Sequence, residues 1–465
     1  MNRQNKKQIS LLLGFCLLIT MGGFGNLKWA NAADATMAVA DAEPTKAPTD
    51  VKNANDVAAI NMIIADQRAK GATVSENLDD TDQYTWKDGR LVEIKWISKW
   101  EYDTTDYNLT EDISFNDLTA LETIDCRGNR NLTAIEVSGC TALKTLHIAW
   151  TGIRDLNLEN NAALETLECY QCPITNLDVD KNEKLKTLTC FFTQISDLDV
   201  NHNPELENLE CGETQIKHLD VSKLANLQKL SCDGLEIENL DLSSNKKLET
   251  LFVQFVEHIS SIDLSNNVEL KELYCSQAKI TSLDVSKNIA LSVLHCDGTD
   301  IASLDVSKNI ELKFLRCDST KLTTLDVTCN TKLEYLSCSR TDILYVDIRK
   351  CSKMTKGDVY CDYEMLIVHN EETAQIVPEC VALHKIVTAQ RALGAQIDDY
   401  WNGEDYYWEN GHLVGIDLCQ RGLKGKISFA GLPALRTISI IGNEITELDV
   451  SNIPDLKCLE CEDNK

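Results

Sequence analysis

Hydrophobic residues recur along this chain with a period much longer than that of any helix or strand. The stretch "LDVSKNIALSVLHCDGTDI", from Leu283 to Ile301, returns as "LDVSKNIELKFLRCDSTKL" from Leu304, 21 residues on. Steps of 21 carry Cys296 forward to Cys317 and Cys338 and back to Cys275. A 22-residue step back reaches Val253, and beyond it lie Cys232, Cys211, Cys190, Cys169, Ile148 and Cys126. One position therefore holds a small-to-medium apolar residue in eleven registers. Because Val and Ile can replace Cys there, the position asks for volume, and a buried Cys behaves as a compact hydrophobe.

Alternation within each unit predicts the local structure. In x-L-x-C-x, Leu294 and Cys296 should point inward from a short parallel strand, and Val293, His295 and Asp297 outward. The "LDVSKN" half supplies Leu304 and Val306 to an opposite wall. One such unit cannot bury its apolar face alone, whereas stacked copies bury it against one another. Asn288, Asn309 and Asn330 recur in register and predict a buried ladder serving turn backbone groups. The Asp of "LDV" also recurs, from Asp178 through Asp284 and Asp305 to Asp347. These acids are expected to face outward and accept local backbone N–H groups, with Lys287 and Lys308 nearby. The competing calcium-ladder reading lacks the glycine-rich loop spacing it would need.

The pattern L-x-x-L-x-C-x-x-T-x-I resembles the leucine-rich repeat signature L-x-x-L-x-L-x-x-N-x-L. Cys stands at the third Leu and Thr mostly at the Asn, which survives at Asn129 and Asn464. The resemblance covers roughly 113–350 and 427–464. It is strongest to secreted bacterial leucine-rich repeat proteins of the internalin-like kind, and the 21-residue length and the cysteines depart from them. It implies a leucine-rich repeat solenoid, an α/β or mainly β arc with a parallel sheet of short strands and little helix outside capping helices.

Outside the repeats, the plan is written twice. Val57, Ile60, Ile63 and Ile64 have helical spacing, and a related helical segment runs from Glu379 to Ala395. "QRAKGA" at 67 matches "QRALGA" at 390, "WKDGRLVEI" at 86 matches "WENGHLVGI" at 408, and "ISFNDLTALETI" at 113 matches "ISFAGLPALRTI" at 427. A solenoid end exposes a core layer and needs a cover, so each helix with its Trp-containing hairpin is read as a cap. The expected organisation is a signal peptide at 1–32, a disordered linker at 33–53 and a cap at 54–112. An array of about eleven repeats at 113–368 follows, then a second cap at 369–426 and a second array at 427–465 that is expected to be truncated. The signal reading rests on basic "MNRQNKK", apolar "ISLLLGFCLLITMGGFG" and small-x-small "ANA".

Charge and cysteine narrow the function. The formal net charge of the 465-residue chain is −28. Such a surface repels nucleic acid and anionic lipid and suits a basic partner. Nineteen cysteines would ordinarily suggest disulfides. Ten of them fall on the ladder register, where parallel in-register geometry suits a bridge poorly, so mostly free buried thiols are expected. "CYQC" at Cys169–Cys172 and "CLEC" at Cys458–Cys461 have redox or zinc spacing, which follows from the repeat. Cys351 and Cys361 are a candidate bridge. No H-E-x-x-H, P-loop, G-x-S-x-G or Cys/His cluster is present, so no enzyme activity, cofactor or metal is expected, and no transmembrane segment in the mature chain.

The outward strand positions are free to vary on a fixed scaffold, and many are aromatic. Trp150, Tyr170, Phe191, Phe192 and Phe252 are candidate partner-binding residues, as are Phe255, Tyr274, His295, Phe314 and Tyr335. Aromatic anchors facing water suit a protein or peptide ligand, and a glycan is a further candidate. Glu168, Glu210, Asp233, Glu272, Asp297 and Asp318 beside them favour a basic partner. The expected function is that of a secreted or cell-surface bacterial module binding protein, in adhesion, through its concave strand face. The alternative is a targeting arm of an extracellular hydrolase or glycan-binding protein whose catalytic part is not in this chain.

Overall fold

The computed structural model describes residues 51–98, 107–362, 365–397 and 405–465. The expected signal peptide, and the linker up to residue 50, lie outside the described residues. The rest is a parallel β-solenoid with two helices, here α1 (Ala54–Ala69) and α2 (Glu371–Ala392). A 14-stranded sheet begins with the antiparallel hairpin Tyr84–Lys87/Arg90–Lys95 and continues in parallel from Thr123–Asp125 to Tyr335–Ser337 and Val359–Tyr360. Most strands are three residues long, x-L-x, because the chain must turn away again within each coil. The ladder residue follows directly, and its N–H extends the pairing: Cys296 donates to Arg316 O at 2.8 Å. Leu294, Cys296, Leu304 and Val306 are buried as alternation requires.

The opposite wall is mostly irregular and is held by side chains. Asn288 Nδ2 donates to Leu264 O at 3.1 Å and Asn267 O at 2.8 Å in the preceding coil. Asn309 and Asn330 repeat this at 2.8–3.0 Å. Both amide hydrogens are used, so the carbonyls of the neighbouring coil set each amide's orientation. The outer acids behave as expected: Asp284 Oδ1 accepts from Ser286 N and Asp305 Oδ1 from Ser307 N, both at 2.9 Å. Those N–H groups hold the carboxyls below their ordinary range, with smaller contributions from Lys287 and Lys308. Thr replaces Asn after the ladder because its hydroxyl needs only one carbonyl. Thr299 Oγ1 donates to Cys296 O at 2.7 Å, whereas Asn129 Nδ2 serves both Trp96 O and Cys126 O.

Every described cysteine is a free thiol. Burial pushes the Cys190, Cys232 and Cys296 thiols far above their usual range, so they are neutral and inert. The Cys169–Cys172 spacing does follow from the repeat. Cys172 stands in the Thr column, its sulfur 3.0 Å from Ile148 O and 3.3 Å from Thr151 Oγ1. The expected Cys351–Cys361 bridge is absent, and the reason is topological. Cys361 continues the ladder, because Ser337 pairs with Tyr360 and the next residues, Cys338 and Cys361, are therefore neighbours. Cys351 ends the asparagine column on the other wall, its thiol 3.5 Å from Asn330 O.

The two caps use the same bonds. Gln67 Nε2 donates to Thr110 O and Asp112 O while its Oε1 accepts from Thr110 N. Gln390 does the same with Lys424 O, Lys426 O and Lys424 N. Asp56 and Glu379 each accept the N–H of the hairpin leucine, Leu91 or Leu413. This explains the repeated "QRA". α2 starts at Glu371, earlier than its hydrophobic pattern, because Asn370 Oδ1 caps Thr373 N at 2.7 Å. α1 belongs to a core running from Ala59 to Ile367, and α2 contributes Leu383 and Val387 to a second core that extends to Ile453.

Two predictions follow from this packing. Cys296→Val should lower stability by no more than about 1.5 kcal/mol, as for other volume-conserving swaps, and thiol titration of the denatured, unreduced protein should find nearly every cysteine reactive. Titration that finds most of them paired would refute the ladder of free thiols. We also propose that the two cores unfold as separate cooperative units. Calorimetry should then resolve two transitions, and Gln390→Ala should lower only one of them, by about 1–3 kcal/mol for the buried backbone groups left unpaired. A single transition that shifts as a whole would refute it.

Candidate binding face

Four outward columns run along the strand face, and the aromatic residues fall into all of them. Phe314 and Tyr335 open their strands, and Phe252, Tyr274 and His295 close theirs. Tyr170 and Phe191 come just after the ladder residue. Trp150, Phe192 and Phe255 come one residue later, where every coil from Gly128 to Arg340 adopts a positive φ. For a residue with a Cβ that conformation costs roughly 1–2 kcal/mol. It is tolerated because the N–H there donates to the next coil, as Phe255 does to Ser276 O at 3.0 Å.

In-register stacking organises the rings into two groups. Tyr170 and Phe191 stack at 4.6 Å with planes 9° apart, and Phe192 meets Phe191 edge-on at 5.7 Å. Trp150 lies beside them with the Arg130 guanidinium 5.2 Å from its ring centre. Further along, Phe252 and Tyr274 stack at 4.5 Å and 3°, and His295 meets Tyr274 edge-on at 4.9 Å. Phe314, Tyr335 and Tyr360 lie further along, joined only to one another by tilted contacts of 6.4 and 5.1 Å. Neighbouring strands are about 4.8 Å apart, so the stacked rings stand upright on the sheet. Each stacked pair gives one face of each ring to its partner and turns the ring edges away from the sheet. Phe255 and Phe314 are 40% and 39% exposed, while most of the other candidates are half-buried.

Tyr360 was missed by the sequence reading, although it is 54% exposed. Its coil is 23 residues long instead of 21, since a 3-10 turn at Lys356–Asp358 precedes it. The sign that could have revealed it is Cys361, which keeps the Tyr-Cys order of Tyr274-Cys275.

The acids beside the rings are held in different ways. Glu210 pairs with Lys229 at 2.8 Å. Asp297 Oδ1 accepts from Ser276 Oγ at 2.7 Å, and Asp318 Oδ1 from Ser337 Oγ at 2.6 Å and Ser339 N at 2.8 Å. Arg316 lies between Asp297 and Asp318, 3.7 and 3.8 Å away. Glu272 Oε2 accepts from the Tyr274 hydroxyl at 3.2 Å. Burial, with Arg316 adding to it, lowers His295 to about 4, so its ring is neutral at pH 7. A charged knot at the other end escaped the sequence reading, because its members come from separate coils. Arg127 bridges Asp125 at 2.7 Å and Glu168 at 3.4 Å, beside His147. On the outer wall, Asp180, Asp199 and His202 bring ligand atoms within 4.8 Å of one another. All three are exposed there, where water competes for every ligand atom. Among the described residues, no helix is long and apolar enough to cross a membrane.

The chain matches no family model and no curated protein. Solved structures do resemble it. The functional domain of InlJ from Listeria monocytogenes, described as including a cysteine ladder, is 28% identical with a TM-score of 0.51, over 74% of this chain and 69% of that one. The plant peptide hormone receptor RGFR1, solved in complex with RGF2, is 14% identical with a TM-score of 0.50, over 81% of this chain and 63% of that one, a likeness of fold alone. The cysteine ladder is thus shared with the first of these, which corrects the expectation that the cysteines set this chain apart from internalin-like proteins, and the chain is a leucine-rich repeat solenoid related to the Listeria internalins.

Proposed function

We propose that this chain is an exported protein-binding module that engages its partner through the concave aromatic face, in adhesion at a cell surface. The observation that carries the reading is the contrast between the two walls. The outer wall repeats Leu-Asp-Val with the same carboxylate-to-backbone bond in coil after coil. The strand wall changes from Thr189 and Phe191 to Glu210 and Gly212, and then to Phe252 and Gln254. A scaffold instruction is repeated, whereas partner information varies. Rings standing upright, with edges presented to the groove, suit aliphatic and aromatic side chains of a protein. A sugar stacking on the same rings would need the faces that Phe252 and Tyr274 give to each other, so a glycan is the weaker reading. The basic and then apolar start of the chain, and its relationship to InlJ, support export.

The mature chain should therefore retain a ligand in a screen of cell-surface proteins and glycans. Truncating an interface anchor typically costs at least about 2 kcal/mol, so Phe252→Ala with Phe255→Ala should weaken that ligand tenfold or more. Thermal unfolding should shift only by the loss of one stacked pair. Lys287→Ala with Lys308→Ala on the outer wall should do neither. Silence of the aromatic pair together with an effect of the lysine pair would place the binding face on the wrong wall.

A further inference from the structure

The turns that follow the buried asparagines carry an apolar line that the core does not use. The residue after the asparagine is exposed in coil after coil, and its identity changes. It is Glu183, Pro204 or Lys246 in some coils and Val268, Ile289 and Ile310 in three successive ones. These three are 50%, 61% and 54% exposed. Asn288 Nδ2 donates to Asn267 O and Asn309 Nδ2 to Asn288 O, both at 2.8 Å, so the backbone beneath the line is held in register. The strands that follow pair in order, Glu272–Tyr274 with Val293–His295 and then Phe314–Arg316. Three β-branched side chains therefore stand in a row about 4.8 Å apart. A single apolar residue on a surface is ordinary, whereas a row of them in register is a surface. Its flanks carry opposite charge. The chain runs across the line, so Lys287 and Lys308 lie on one side, two positions before Ile289 and Ile310, and Glu269 and Glu311 lie on the other, next to Val268 and Ile310. Among the described residues no ion pair or hydrogen bond holds the side chain of Lys287, Lys308 or Glu269, and the two lysines act only weakly on Asp284 and Asp305. Glu311 meets Lys332 at 2.6 Å.

We infer that this line is a self-association surface, on which a second copy of the chain docks side by side with its stack parallel to the first. Two features of the line select that occupant. The first is period, since an identical solenoid presents apolar side chains at the same spacing, and each can meet its own counterpart. The second is charge. A two-fold axis lying along the line sets the basic flank of each copy over the acidic flank of the other, with Lys308 against Glu311 and Lys287 between Glu269 and Glu311. An axis across the line would set lysine against lysine, so the flanks favour the first arrangement. The surface is small. Three half-exposed side chains bury far less than the roughly 1,200 Å² that begins the range of stable interfaces, and a net charge of −28 repels a second copy. The association is therefore weak in dilute solution and gains weight where copies are held close together. It is independent of the aromatic strand face, which lies on a different wall of the coil.

Sedimentation equilibrium of the purified chain provides the test, from about 5 to about 200 µM at about 0.15 M salt, where the general repulsion is screened beyond roughly 8 Å. The chain should be monomeric at the lower end and show a growing dimer fraction, with no larger species, at the upper. Ile289→Ser with Ile310→Ser should raise the dissociation constant about tenfold or more. Lys308→Glu and Glu311→Lys should each weaken the dimer about fivefold, and the two together should restore it to within about twofold. The single charge variants move the net charge in opposite directions, so a general repulsion would weaken one and strengthen the other. All these positions lie at the surface, and the Glu311–Lys332 pair is exposed and worth little, so thermal unfolding should be unchanged. Three results would overturn the inference: a monomer at every concentration, a dimer indifferent to the isoleucine pair, or a charge swap that fails to restore it. A dimer abolished by Phe252→Ala with Phe255→Ala would also overturn it, by moving the contact to the strand face.

Discussion

The separation of adjacent strands, about 4.8 Å, is the constraint on which this molecule depends. Each coil brings the same few atoms to the same place, so a residue's nearest neighbours are its counterparts one coil before and one coil after. A side chain is therefore acceptable only if it tolerates its own kind at that distance. Leu and Cys meet the condition by filling volume. Asn meets it by pairing its amide hydrogens with carbonyls of the preceding coil, as Asn309 does with Val285 and Asn288. Aspartate meets it by turning outward to a local N–H. Aromatic rings meet it by stacking. The functional face and the core are thus two solutions to one packing rule.

The ends of such a stack cannot obey the rule, and the molecule handles them with caps that differ from the coils. A glutamine on each helix, Gln67 or Gln390, replaces the backbone partner that the first coil would otherwise lack. The hairpin supplies the first rung, with Trp96 next to Cys126. At the far end of the first array, Cys351 and Cys361 replace Asn and continue the Cys column respectively, and the geometry loosens to a 23-residue coil. The caps depart from the repeat where the coil has no neighbour to copy.

Much of this was legible in the sequence because periodicity carries it. The ladder register, the inward Leu and Val, the buried asparagines and the outward acids all follow from spacing and alternation. The candidate rings were legible as outward positions, though their pairing was not. That Phe252 lies flat against Tyr274 depends on which columns coincide across coils of unequal length. Tyr360 was hidden by a two-residue insertion. The mistaken Cys351–Cys361 pairing had the opposite origin, for nearness in sequence says nothing about which wall of a coil a side chain joins. The early start of α2 was hidden because an N-cap bond at Asn370, not an apolar stripe, sets it.

The buried thiols have a consequence for how the molecule comes to exist. In an unfolded chain each cysteine has an ordinary thiol, with a pKa near 8.5, and any two can be oxidised together. Once coiled, the ladder thiols from Cys126 to Cys338 are withdrawn from water and their ionisation is suppressed, whereas Cys329, Cys458 and Cys461 stay exposed. Folding and oxidation are therefore competitors. A chain that coils first is safe in an oxidising medium, and one that oxidises first is locked into cross-links that the stack has no room for. The reduced state persists because the fold closes over it, and the speed of coiling decides how much of the protein reaches that state.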